Sequence, residues 1–192
     1  MNLLRRAIKE LKKGNYSESE VLFLDFLKNR PKNPTALLNL GLCYIEMGLY
    51  SKSVEILERC IEASPNFYST YIALGFSYEK CGSYSKAIET LEIAINLEPE
   101  NFMALNNLGA VYGEIGDLQK SIELLSKANK IAPNEPGILL SLGRTYEKDK
   151  NFIKAAELYR QVKGSTKNHA FVIMAEEGLA RTLTSNSGCC TP

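Results

Sequence analysis

Apolar residues recur three and four positions apart along most of the chain, and the recurrence itself repeats. The set Leu37, Leu40, Gly41, Tyr44 returns as Tyr71, Leu74, Gly75, Tyr78, then as Leu105, Leu108, Gly109, Tyr112 and Leu139, Leu142, Gly143, Tyr146. Such spacing puts each set on one face of a helix. Gly14, Gly48, Gly82 and Gly116 follow at the expected helix ends, where a left-handed residue suits a C-terminus. Lys150 stands in the corresponding place of the last set and predicts a strained or differently shaped turn. A second helix then opens at Tyr16, Tyr50, Tyr84, Leu118 and Phe152. It carries a small, a bulky and a small residue: Ser53, Leu57, Cys60; Ala87, Leu91, Ala94; Ser121, Leu125, Ala128. Pro31, Pro65, Pro99 and Pro133 close the cycle, because proline disfavours helical geometry in the residue before it.

The interval between equivalent residues is 34. A single core has no reason to keep a fixed period, whereas stacked units must. The glycine inside the first helix costs about 1 kcal/mol relative to alanine, so its return implies a close approach that a side chain would block. Small residues on the second helix let it nest there, and the bulky one fills the gap. The predicted units are 34–67, 68–101, 102–135 and 136–169, preceded by an incomplete 1–33 and followed by a shielding helix at about 170–183. Residues 184–192 are small and polar and are expected to be disordered. Arg6, Ala7 and Glu10 replace the usual leucine, glycine and tyrosine in the first unit; they are expected to form a polar outer face where no earlier unit covers the helix.

Period, glycine, tyrosine, small residues and proline together resemble the tetratricopeptide repeat family, over residues 1 to about 183. The resemblance implies an all-α fold, a right-handed α-solenoid of about five helix-turn-helix units plus a C-terminal capping helix. It also implies a concave groove, lined by the first helices, that holds a peptide or protein segment. Carried onto this chain, the candidate groove residues are Leu38, Asn39, Leu42, Ile45, Ile72, Phe76, Met103, Asn106, Asn107 and Arg144. Leu4, Ile8, Leu11, Glu79, Lys80, Ala110, Gly113, Glu114, Leu140, Glu147 and Lys148 fall at equivalent positions. The apolar early groove either marks a contact surface or packs between units, and the latter reading is preferred for Leu4, Ile8 and Leu11. The carboxylate clamp of one family sub-type would need basic and amide residues at Leu4, Ile8, Asn39, Ser69 and Ala73, of which only Asn39 fits. An amide ladder found in another would comprise Asn39, Ala73, Asn107 and Ser141, with two matches.

Composition redirects attention from chemistry to recognition. A net charge of +1 gives no global attraction to nucleic acid or an anionic membrane, although the ends are basic and the middle acidic. No stretch has the continuous apolar run of a signal peptide or a membrane span. The five cysteines include no Cys-x-x-Cys pair, so a reduced, cytoplasmic protein without metal is expected. Cys189 and Cys190 make a poor prenylation box ahead of Thr191 and Pro192. His169 is the only histidine, and the Gly116–Ser121 stretch lacks the glycine a phosphate loop needs before its lysine. The expected protein is therefore no enzyme, has no cofactor, and binds a protein partner; the alternative is a scaffold that assembles with itself.

Overall fold

The computed structural model describes residues 3–187, and every regular element among them is an α-helix. They fall into two compact units that divide after Pro99. The first holds three helical pairs: α1 (Leu3–Lys12) with α2 (Tyr16–Asn29), α3 (Pro34–Glu46) with α4 (Tyr50–Ala63), and α5 (Tyr68–Lys80) with α6 (Tyr84–Leu97). The second holds α7 (Phe102–Ile115) with α8 (Leu118–Ile131), α9 (Pro136–Lys148) with α10 (Phe152–Ser165), and α11 (His169–Ser187). Within each unit, neighbouring first helices also touch: α1 with α3, α3 with α5, α7 with α9, and α9 with α11. Helix α11 runs past the expected end at 183, so residues 184–187 are helical, not part of a disordered tail. Cys189 and Cys190 lie outside the described residues.

Backbone chemistry sets the helix ends as the sequence requires. Gly48 has φ +71°, and the next amide, of Leu49, donates to the Tyr44 carbonyl at 2.8 Å, so orphaned carbonyls of the last turn are satisfied. Lys150 adopts the same left-handed conformation, φ +60°, and the Asn151 amide donates to the Tyr146 carbonyl at 2.9 Å. The turn keeps its shape and the lysine carries the strain. Replacing Lys150 with glycine should therefore raise stability by about 0.5–1 kcal/mol, the left-handed penalty less the greater flexibility of unfolded glycine. Thermal melts test this, and an unchanged or lower midpoint would show that the turn is unstrained. Ser64 and Glu98, each before a proline, leave helical geometry at ψ 83° and 84°.

The internal glycines are seats for the bulky residue of the partner helix. A Cβ on Gly41 would stand 2.5 Å from Leu57 Cδ2; on Gly75, 2.5 Å from Leu91 Cγ; on Gly109, 2.7 Å from Leu125 Cγ. In the last pair the seated residue is Tyr159, whose ring lies against both Gly143 of α9 and Gly178 of α11. Within each unit a hydroxyl pair joins a second helix to the next first helix: Ser53 to Ser77 at 3.0 Å and Ser121 to Thr145 at 2.9 Å. A lysine near the start of the second helix lies over the tyrosine of the first, as with Lys52 over Tyr44 at 5.5 Å and Lys120 over Tyr112 at 4.1 Å.

The first pair departs from the expected polar face. Arg6 is exposed and pairs with Glu18 at 2.7 Å, but Ala7 and Glu10 are buried. Ala7 takes the glycine seat, and its carbonyl accepts from the Ser19 hydroxyl at 3.0 Å. Glu10 takes the place of the tyrosine and accepts from Lys13 at 2.8 Å and Asn15 at 2.7 Å. Those two bonds hold its carboxyl below the usual carboxylate range.

Candidate functional site

Each first helix turns one face to its second helix and another away, and the candidate groove residues belong to the outer rows. In residues 1–99 the outer row is only partly open. Leu38 and Ile72, expected to line it, are buried at 8% and 9% exposure. Helix α3 touches both α1 and α5, and side chains between adjacent first helices are closed off by them. Leu42 stays open at 36% exposure, with Ile45 and Phe76 half-buried. The Phe76 ring meets Tyr50 edge-on, centroids 6.3 Å apart, and the Lys80 ammonium lies 4.9 Å from its centroid. The Asn39 amide nitrogen donates to the Thr35 carbonyl of its own helix at 2.7 Å.

In residues 100–192 the equivalent row is mixed. Met103 is exposed at 47%, whereas Leu140 is buried. Asn106 donates to the Asn107 side-chain oxygen at 3.3 Å, and its own side-chain oxygen is buried without a hydrogen-bond partner. Arg144 is exposed. Lys148 bridges back to α7, pairing with Glu114 at 2.9 Å and donating to the Gly113 carbonyl at 2.9 Å. The proposed amide ladder is locally engaged: Ala73 is buried, and Ser141 donates to the Gly137 carbonyl of its own helix at 3.0 Å.

Glu147, read from sequence as a groove position, is drawn into a fixed network instead. It accepts from the Tyr159 hydroxyl at 2.8 Å and from Arg181 of α11 at 2.8 Å and 3.2 Å. Burial works against its charge, but the bonds from Arg181 and Tyr159 outweigh burial and hold the carboxyl below its ordinary value. Burial, then the bond to Glu147, pushes the Tyr159 hydroxyl well above the usual phenol range. Tyr44 and Tyr78 are likewise raised to about 12, first by burial and then by bonds to Glu20 and Glu58. The signal for the Glu147 network was present in the sequence, since Arg181 stands one repeat length after Glu147.

Helical pairs of fixed period with glycine seats and left-handed turns define a helical-repeat scaffold. Tetratricopeptide-repeat family models match residues 34–67 and 104–135, and a second TPR repeat model matches 77–116. The chain is a tetratricopeptide-repeat protein. Its fold is similar to TTC0263, a thermophilic TPR protein of Thermus thermophilus, at TM-score 0.82 and 21% identity, covering 93% of this chain and 98% of that one. It is also similar to MamA of Desulfovibrio magneticus RS-1, at TM-score 0.71 and 23% identity over 87% and 95% of the two chains. YrrB, described as a TPR protein with an unusual peptide-binding site, matches at TM-score 0.64 and 17% identity over 91% and 90%. No curated protein sequence gives a significant match. Among the described residues, no helix is long and apolar enough to cross a membrane.

Proposed function

We propose that this protein is a non-enzymatic adaptor that holds a segment of a partner protein against the outer rows of its first helices. The observation that carries the reading is Leu42, which stays open, with Ile45 and Phe76 half-buried, while Leu38 and Ile72 one turn earlier in their helices are covered. An open leucine among apolar neighbours gives a partner side chain something to bury. The fold shared with YrrB, itself described as peptide-binding, supports the same reading. In residues 1–99 Asn39 would supply an amide contact to a partner backbone; in residues 100–192, taken by themselves, Asn107 would do so, with Asn106 holding its side chain and Met103 and Arg144 exposed on the same row. The two buried, unpaired thiols Cys43 and Cys60 suit a reduced, cytoplasmic setting.

Leu42→Glu is the decisive variant, because Phe76 also packs on Tyr50 and its loss would disturb the fold. Partner capture from native cell extract should fall at least tenfold with Leu42→Glu, which corresponds to about 1.4 kcal/mol, while helicity and melting stay nearly unchanged. Undiminished capture would remove the groove assignment. A second reading, self-assembly, draws on the exposed Ile173 and Met174 of α11. Light scattering over a concentration range under reducing conditions separates the two, and a monomer throughout would sink self-assembly.

A further inference from the structure

The outer row of residues 1–99 is unevenly charged once existing partners are counted. Of its carboxylates, Glu79 pairs with Lys80 at 3.1 Å, and Glu46 accepts from the neutral Tyr16 hydroxyl at 3.3 Å and keeps its single negative charge. On α1 Arg6 pairs with Glu18, but two further cations outnumber the Glu46 charge. Arg5 and Lys12 are exposed, and neither forms an ion pair among the described residues. Seven residues apart, they share one column of the helix, a step round from the apolar row of Leu4, Ile8 and Leu11. Helix α1 in turn touches α3, which carries Leu42. Open apolar surface and unmatched positive charge thus lie on neighbouring first helices.

We propose that the segment bound on this face is an acidic amphipathic peptide, its apolar side chains on Leu42 and Phe76 and its carboxylates toward Arg5 and Lys12. The inference rests on the groove reading above and adds the chemistry of the occupant. A basic segment would set like charges against Arg5 and Lys12, and a neutral one would cover them without compensation. An anionic membrane would satisfy the same cations. However, Leu4, Ile8 and Leu11 are half-buried in the fold, so α1 has no fully open apolar face to enter lipid.

Selection from a random peptide library on the full chain tests the proposal, with Leu42→Glu and the double variant Arg5→Glu/Lys12→Glu run in parallel. Both sites are exposed, and circular dichroism verifies that each variant is folded. Enriched peptides should combine apolar residues with Asp and Glu, and their affinity should fall with rising salt. The double charge reversal should weaken them at least tenfold and shift enrichment toward Lys and Arg; Leu42→Glu should abolish enrichment. Peptides that depend on Leu42 but carry no acidic excess would leave the groove reading standing and overturn this inference. Enrichment indifferent to Leu42→Glu, or none at all, would overturn both. Association with phosphatidylserine vesicles that is lost on the double reversal, without peptide enrichment, would assign the cations to a membrane and also overturn the proposal.

Discussion

Replacing Tyr159 with alanine is expected to remove about 3–5 kcal/mol of stability, as large-to-small changes of buried aromatic residues do. The residue is 1% exposed, and its ring fills the space that two glycines, Gly143 and Gly178, leave on α9 and α11. Truncation opens a cavity between three helices and removes a donor from Glu147, leaving Arg181 to hold that carboxylate from an exposed position. Because repeat proteins couple mainly to neighbours, the loss should appear first as faster amide exchange in α9 to α11. Unchanged exchange there would refute the assignment. Tyr159→Phe keeps the ring and should cost only about 1.5–3 kcal/mol, the range for a hydrogen bond to a charged group.

The same cluster gives the pH dependence its sign. Glu147 has a lowered pKa when folded, so its contribution is present above the ordinary carboxylate range and is lost as pH falls through the folded value. Tyr159 has a raised pKa when folded, so its contribution holds below the ordinary phenol value of about 10 and is lost as pH rises beyond it. Tyr159→Phe should therefore blunt the alkaline loss of stability in melts taken across that range.

The second large effect concerns a glycine and its guest. Gly41→Ala would push a Cβ to 2.5 Å from Leu57 Cδ2 and 2.7 Å from Cγ. Overpacking of this kind costs about 1–3 kcal/mol, partly offset by the roughly 1 kcal/mol that alanine gains as a helix former. Leu57→Ala alone, at a fully buried site, should cost about 2–5 kcal/mol. Combined, the new methyl occupies part of the space the leucine vacates, so the double variant should be less destabilised than the sum by about 0.5–3 kcal/mol. Strict additivity in denaturant melts would show that glycine and leucine do not share a seat.

What was legible in the sequence was what the backbone demands repeatedly. Gly41 and Gly48, Pro65, and the partners Leu57 and Leu91 recur because each unit meets the same constraint, and repetition exposes it. Lys150 shows the strength of that demand, since the turn kept its left-handed shape around an unsuitable residue. Burial on the outer rows was less legible, because it depends on how closely adjacent first helices approach. Leu38 and Leu42 are both leucines on one helix face, yet only Leu42 remains open. Glu10 is hard to read for a related reason: a carboxylate at a tyrosine position reads as outward until Lys13 and Asn15 are seen to satisfy it. Glu147 belongs to the C-terminal network because α11 brings Arg181 to it.

The glycine seats carry a kinetic consequence. Gly41 is filled by Leu57, Gly75 by Leu91, Gly109 by Leu125 and Gly143 by Tyr159, each partner lying in the very next helix. Among the described hydrogen bonds to side chains, the longest, from Lys148 to Gly113, spans 35 residues. A chain whose closing contacts are this near in sequence has little loop entropy to overcome before each hairpin is rewarded. The seats of Gly41, Gly75 and Gly109 can each close as soon as the second helix of the pair leaves the ribosome, whereas Tyr159 must wait for α11 as well.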